Sequence, residues 1–578
     1  MKNNPANNIL ENIPPDSQSK NIAVLQLTRI GDLIQTAQAV ILARKTHPDH
    51  QYTLICRKRF SQGIMFLLSE VFDHVVQLDF KNHLLDFQLD HNYELLVKKL
   101  IADIDDISTN PIDTLVNLTF SRSSQLLAYK INAKNKVGPV LEMVNQQGQL
   151  NLENNWCKYV YSSVLSGPLN PFSVVDLFKF ILEAQPKVTT SPFSLGTMKK
   201  DKNKVVILHP FASSSKKFFK ASKWSEIIFQ VLKENPSYSF KIVGSKEDKE
   251  RSLAITNAPT LDRFKHQIQS FVGKKSIKET YELILESELF IGHDSMVAHL
   301  ASFSDIKMIV LPLGVVRYSE TTPYRDNIYV IHPRTKCYPC FPNEACSYFQ
   351  CHADVQYKVI STAASSLINN GEITTKSLNS ELTPFHLGSA RIKKTKFNNS
   401  CLDFDQLDEE VFDLNEVFHT LYKISWGYFI DEIDFNLPFP ELTQKTHAQL
   451  LSYVEGIQQL YELSEFGKKF SLYILEELAK DPPSINEIKN YSKKIEEIDK
   501  LQDMLKVSYP RLSPIIDFFK IDRANLEGNN IVTLTESSYL SYESEQQISS
   551  ILYDLIEKSI SEYKHLQNDN KPNLENRP

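Results

Sequence analysis

Short apolar runs and stretches of helical periodicity alternate along residues 22–331. The runs at 22–27, 52–56, 75–78 and 114–118 carry almost no charge, and a weaker one comes at 135–139. Between them, residues 33–45, 60–68, 95–104 and 121–131 repeat apolar positions every three or four residues. Short apolar runs bounded by turn residues read as strands covered on both faces, and their alternation with helices predicts a doubly wound parallel sheet. The pattern lapses at 186–204, a stretch rich in Pro, Thr, Ser and Lys, and then restarts. Strands are expected at 205–208, 239–243, 289–291, 307–311 and 327–331, with helices at 223–234, 276–286 and 297–302. The fold class is therefore α/β. Two Rossmann-like halves, 21–185 and 205–380, joined by the linker 186–204, would face a cleft lined by strand carboxyl ends.

From 381 to 565 the period changes. Leu450, Val454, Ile457 and Tyr461 share helical spacing, as do Ile488, Ile495 and Ile498, and a third such stretch spans 546–563. These predict a mainly α-helical region packed on itself or on the two halves. Residues 1–20 and 566–578 are polar and are expected to be a disordered lead-in and tail.

Composition narrows the ligands. The chain has 578 residues and a formal net charge of −6, so a nucleic-acid partner is not indicated. No apolar run reaches the roughly 18 residues of a membrane span, and the first 20 residues lack the apolar core of a signal peptide. With seven cysteines in a chain of this length, a reducing cytoplasm is the expected setting.

Two stretches carry candidate chemistry. Gly292-His-Asp294-Ser295 comes after an apolar strand and opens a helix. Gly292 permits close backbone approach, and Asp294 and Ser295 are good N-cap residues. A helix starting beneath a strand's carboxyl end turns free N–H groups and a positive dipole toward the cleft, which suits a diphosphate; plain capping is the alternative. The second is Cys337-x2-Cys340-x5-Cys346-x4-Cys351. Four thiolates so spaced fit a tetrahedral zinc or iron site of structural type, and free thiols or disulfides are the alternatives.

Three segments in this order resemble glycosyltransferase family 9, the lipopolysaccharide heptosyltransferase family: residues 25–34 with Arg29 and Gly31-Asp32, residues 208–217 with Trp224 after them, and residues 290–300. The resemblance covers roughly residues 20–365. It implies a GT-B arrangement of two Rossmann-like domains and inverting transfer of a sugar, typically heptose from ADP-heptose, with no metal needed for the chemistry. Asp32 would be the general base at the acceptor hydroxyl. Arg29 would hold a diphosphate or an acidic acceptor group, and Asn117, Thr119 and Ser121 would touch the acceptor. Lys216 or Lys217, with Lys220 behind them, would neutralise the leaving diphosphate, a charge that grows in the transition state. Here Phe218-Phe219 stands where the family usually has Trp-Pro, so the register of that lysine is open by one residue. Ser213, Ser214 and Ser215 would bond phosphate oxygens. Asp294, Ser295, Met296 and His299 would bind the diphosphate or sugar, and Gly244 and Glu247 would lie near the nucleoside.

The acceptor implied by default is lipopolysaccharide core, met at the cytoplasmic face of the inner membrane by peripheral contact. A protein acceptor, such as a flagellin or autotransporter, is the alternative, because the helical region offers docking surface. A non-catalytic glycosyltransferase-like scaffold is the reading from a different class.

Overall fold

The computed structural model describes residues 19–79, 111–144, 147–166, 169–184, 202–341, 344–408, 413–435, 437–526 and 530–569, with isolated residues 98, 102, 107 and 528. The lead-in up to 18, the helix expected at 95–104 (residues 98 and 102 apart), most of the linker and the tail from 570 lie outside them.

The first half is a five-stranded parallel sheet in the order β3-β2-β1-β4-β5. Its strands are β1 (Asn21–Gln26), β2 (Gln51–Arg57), β3 (His74–Leu78), β4 (Thr114–Asn117) and β5 (Asn135–Val137). Leu25 pairs with Ile55 on one side and Asn117 on the other, so the carboxyl ends of the three central strands lie level. Helix α1 (Ile30–Thr46) comes after β1 and is buried through its middle, from Leu33 to Ala43 apart from Ile41. A hairpin of β6 (Val140–Val144) and β7 (Gln147–Asn151) and helix α2 (Val174–Ile181) complete this half.

The second sheet has eight strands in the order β10-β9-β8-β11-β12-β13-β14-β15. The parallel members are β8 (Asn203–His209), β9 (Ser239–Ile242), β10 (Ile268–Ser270), β11 (Ser287–His293), β12 (Lys307–Leu311) and β13 (Ile328–Pro333). Helices α3 (Ala221–Glu234) and α4 (Met296–Ala301) come after β8 and β11. Sequence periodicity places the start of the helical region at 381. Instead β14 (Ala390–Asn398) and β15 (Cys401–Gln406) extend this sheet antiparallel. They escape a search for apolar runs because they carry buried charge that is paired: Arg391 with Asp408 and Glu416, and Lys393 with Glu416.

Helix α5 (Leu414–Asp431) then crosses to the first half, where Trp156 donates Nε1–H to Asp431 at 2.6 Å and Trp426 packs edge-on to Tyr159. Four more helices complete the region: α6 (Gln444–Leu478), α7 (Ile485–Ser508), α8 (Ser513–Ala524) and α9 (Ile531–Asp569). α6 and α9 run antiparallel. His447 stacks on Tyr563 at 4.5 Å, and the Tyr542 ring fills the space that a Cβ on Gly467 would occupy. One apolar core runs from β1, α1 and α2 through α5, α8 and α9, so the helical region is built onto the first half as well as onto itself. Tyr461, expected on its buried stripe, is exposed. Among the described residues, no helix is long and apolar enough to cross a membrane.

A buried ion pair clamps the two halves. Lys179 on α2 is fully buried and donates to Asp176 at 3.0 Å and to the Ser400 carbonyl at 2.7 Å. Asp176 also accepts from the Tyr324 hydroxyl at 2.7 Å and the Leu402 amide at 3.0 Å. Breaking a buried pair leaves a charge stranded, so Asp176→Ala is expected to cost about 3–5 kcal/mol. Lys134→Ala, which removes the exposed pair with Asp113, is expected to cost about 1 kcal/mol or less. Urea unfolding of both variants checks the contrast.

Candidate functional site

A cavity of about 1060 Å³ lies where the carboxyl ends of the two sheets meet. Its lining comes from the segments just after β1, β2 and β4 on one side and after β8, β9 and β11 on the other, the position at which open α/β sheets bind ligands.

On the first side the wall is set by Gln26, buried at the end of β1. Its Oε1 accepts from the Thr28 amide at 3.3 Å and from the Thr119 hydroxyl at 2.9 Å, and its Nε2 donates to Thr36 at 3.2 Å. Thr119 in turn accepts from the Leu27 amide at 2.8 Å. This network fixes the turn that presents Arg29, Gly31 and Asp32 to the cavity. Asp32 sits in the first turn of α1, where its Oδ2 accepts from the Arg29 amide at 3.0 Å. The carboxylate is thus held by one oxygen, as an N-terminal cap, and half-exposed to the cavity with the other.

On the second side, β11 ends at His293, whose imidazole is locked. Its Nδ1–H faces the Leu311 carbonyl at 2.9 Å while Nε2 accepts from the Phe219 amide at 3.0 Å. That bond pins the 210–219 loop to the strand end. Asp294, buried, is the next residue. Its Oδ1 lies 3.5 Å from His299 Nε2, and its Oδ2 lies 3.8 Å from Lys217 Nζ. Burial pushes the Asp294 carboxyl up, but hydrogen bonding and charge from His299, the Lys217 ammonium and Thr321 hold it below the ordinary carboxylate value. Ser295 caps α4 by accepting from the Ala298 amide at 3.4 Å, and its hydroxyl lies 3.2 Å from His209 Nδ1. The halves touch here: a Cβ added to Gly31 would stand 3.5 Å from the His299 ring.

Asp32, Arg29, Ser121, Lys217, Ser213, Glu247, Asp294, Ser295, Met296 and His299 all line the cavity. Several expected residues do not. Lys216 turns away and donates to the Glu344 carbonyl, so the adjacent lysines have opposite destinations. Ser214 is spent accepting from the Lys216 amide, and Ser215 is exposed on the same short turn. Gly244 stands behind the wall against the Phe211 ring, which a Cβ would meet at 2.7 Å. Asn117 is buried with its amide donated to the Pro139 carbonyl at 2.7 Å, so it braces β4 rather than meeting a ligand. Glu247, exposed, is held low chiefly by a backbone amide and by Ser245. Lys220 is exposed outside the lining and Trp224 is core.

Sequence reasoning missed Arg57, Arg59, Phe60, Gln35, Phe211, Asp248 and Arg251, all of which line the cavity. Arg57 and Arg59 could have been found from their place at and just past the carboxyl end of β2. Arg251, held against the Phe218 ring at 4.6 Å and near Asp248 at 3.4 Å, has no such local signal.

The cysteine loop stands behind Lys217. His352 Nε2 lies 2.9 Å from the Lys216 carbonyl, and the Cys340 amide donates to the Gly314 carbonyl at 2.9 Å. That second bond ties the loop to the segment just past β12. Gly314 has φ +60°, and a Cβ there would strike the Lys216 carbonyl at 2.3 Å, so only glycine lets the two loops meet. Cys337 is exposed, Cys340 and Cys346 are half-buried and Cys351 is buried. Burial first, then charge on its three neighbours, pushes the Cys340 thiol up to about 11. Among the described residues, no three His, Cys, Asp or Glu side chains stand so as to hold a metal ion.

Residues 113–349 match the sequence model of Glycosyltransferase family 9 (heptosyltransferase). The matched span takes in β4, the whole second-half wall of the cavity and most of the cysteine loop, and it begins after Asp32. This region is a glycosyltransferase family 9 domain. No curated protein matches the chain. Among solved structures it is similar to E. coli heptosyltransferase WaaC with ADP, at 12% identity over 54% of this chain and 92% of that one, with a TM-score of 0.41. It is also similar to E. coli ADP-heptose lipopolysaccharide heptosyltransferase II, at 13% identity over 61% of this chain and 100% of that one, with a TM-score of 0.44. A third is the iron-containing dodecameric glycosyltransferase TibC from enterotoxigenic E. coli, at 13% identity over 61% of this chain and 76% of that one, with a TM-score of 0.34.

The buried histidines give this site a pH dependence. Burial lowers His209 to about 4 and His293 to about 3, from an ordinary 6.5. Between those values and 6.5 the unfolded chain binds protons that the folded chain refuses, so stability is full above about pH 6.5 and falls as pH drops. At pH 4.5 the loss is on the order of 2–3 kcal/mol per histidine. Thermal unfolding from pH 7 to 4.5 checks this, and a flat profile contradicts it.

Proposed function

We propose that the protein is an inverting glycosyltransferase that moves heptose from ADP-heptose to an acceptor hydroxyl. The observation that carries this reading is the pairing across one cavity of a half-exposed carboxylate, Asp32, with a cation and capped helix start, Lys217 and Asp294-Ser295. Asp32 takes the proton of the acceptor hydroxyl as that oxygen attacks the anomeric carbon from the face opposite the diphosphate. The anomeric C–O bond to the diphosphate breaks as the new one forms, which inverts the centre. Lys217 meets the negative charge that grows on the departing diphosphate, and such a fixed cation favours the transition state over the ground state. Asp294 holds Lys217 and His299 in place instead of meeting the anion itself, since two like charges at that separation repel.

The acceptor in this reading is lipopolysaccharide core at the cytoplasmic face of the inner membrane. A protein acceptor is the second reading. It is favoured by the helical region, whose core is continuous with that of the first half and which adds rigid surface there. The four thiols extend the proposal. Their donor chemistry suits a structural zinc or iron ion, which would draw Cys337, Cys340, Cys346 and Cys351 together and stiffen the loop that props Lys216.

Two measurements test these assignments. With ADP-heptose as donor, Asp32→Asn is expected to lower ADP release by about 10²–10⁴-fold, and Lys217→Ala by about 10²–10³-fold. Lys216→Ala is expected to change it little. ADP is expected to raise the melting temperature of the wild type and of Asp32→Asn alike. Absence of both ADP release and any ADP-induced shift overturns the reading. Elemental analysis of the purified protein is expected to find zinc or iron equimolar with the chain, lost in Cys340→Ser; metal-free, fully active protein removes the ion from the account.

A further inference from the structure

Three glutamines are buried around the first turns of α1, and they differ in what they bond. Gln26 is bonded to Thr28, Thr36 and Thr119; Gln38 donates to the Ser302 hydroxyl at 2.9 Å, away from the cavity lining, and its Oε1 is buried without a partner among the described residues. Gln35 lines the cavity, is only 3% exposed, and has an amide nitrogen that is closed off from solvent with no hydrogen-bond partner among the described residues. A buried amide without a partner is costly, and most such groups are satisfied in the functional state.

Its position says which ligand atom would satisfy it. Gln35 lies four residues after Gly31, so the two share one face of α1. Gly31 is the residue that abuts His299, on the helix that opens with Asp294 and Ser295. Gln35 therefore sits one helical turn in from the junction of the two halves, on the side of Met296 and His299, which also line the cavity. In the donor reading above, a diphosphate held by Lys217 would place its sugar toward that junction. His299 adds a second unsatisfied atom there: its Nδ1 is buried without a partner among the described residues. The terminal torsion of a glutamine is soft, and a half-turn exchanges its two ends, turning the amide N–H₂ to the cavity side and the carbonyl oxygen to the closed-off place.

We propose that Gln35 is a specificity-determining residue whose Nε2–H donates to a hydroxyl oxygen of the donor's sugar. It fixes that sugar for attack, while the nucleoside diphosphate binds without it. This inference rests on the donor assignment above and adds a residue that reads the sugar.

Calorimetric titration of the full chain with ADP and with ADP-heptose tests it, using wild type, Gln35→Leu and the smaller Gln35→Ala. Both variants are expected to bind ADP as the wild type does and to bind ADP-heptose about tenfold or more weakly, the size of one lost buried hydrogen bond. Without ligand, Gln35→Leu is expected to melt at or above the wild-type temperature, since an apolar group replaces an unsatisfied one. Equal weakening for both ligands, no weakening for either, or a lower melting temperature for both variants overturns the assignment to the sugar while leaving the donor reading intact. A wild type that binds neither ligand sinks both.

Discussion

The contact between Gly31 and His299 is the point on which the rest of the molecule turns. It is where the carboxyl end of one sheet meets that of the other, and it sets the distance between a carboxylate on the first half and a cation on the second. Neither group acts alone. Asp32 is tethered by one oxygen to the Arg29 amide, and Lys217 is held against Asp294, which is held against His299. Behind this line stand groups that never reach a ligand: Gln26, Asn117 and His293 spend their hydrogen bonds fixing the loops. Rigid support of this kind is what lets a site present charge without reorganising at the moment of reaction.

A geometry that depends on two halves needs something to hold the halves. The Asp176–Lys179 pair supplies part of it, joining α2 to the β14–β15 hairpin and to Tyr324. α5 supplies more by crossing from the second sheet to the first half, and α6 to α9 enlarge that half's core. The long helical region is thus part of the foundation of the cleft. Its own buried charges obey the same rule as the clamp: Arg523 is paired with Glu545, which also accepts from Gln502 and Ser464.

Much of this was legible in the sequence where the signal was local. The apolar runs of β1, β2, β8, β11 and β12 gave their strands because a central parallel strand must be apolar on both faces. Gly31-Asp32 and Asp294-Ser295 stood out because polar residues directly after such a run fall at a strand's carboxyl end. What failed depended on distant partners. β14 and β15 carry Arg391 and Lys393, which looked like surface charge and are buried only because Glu416 meets them. Lys216 and Lys217 were indistinguishable until the turn between them assigned one to Glu344 and the other to Asp294. Asn117 looked free to meet a ligand, but Pro139 takes its amide. Arg251 reaches the cavity only through packing that no spacing records.

The central claim is that one cavity between the two sheets holds a nucleotide-sugar with its diphosphate at the second half. A crystal structure of the full chain soaked with ADP tests it most directly. Density for the diphosphate is expected within hydrogen-bonding reach of Lys217 and the Ser295-Met296 backbone, with the adenosine toward Glu247 and Arg251 and Asp32 left free across the gap. A nucleotide bound anywhere else, or a closed gap with side chains filling it, would contradict it.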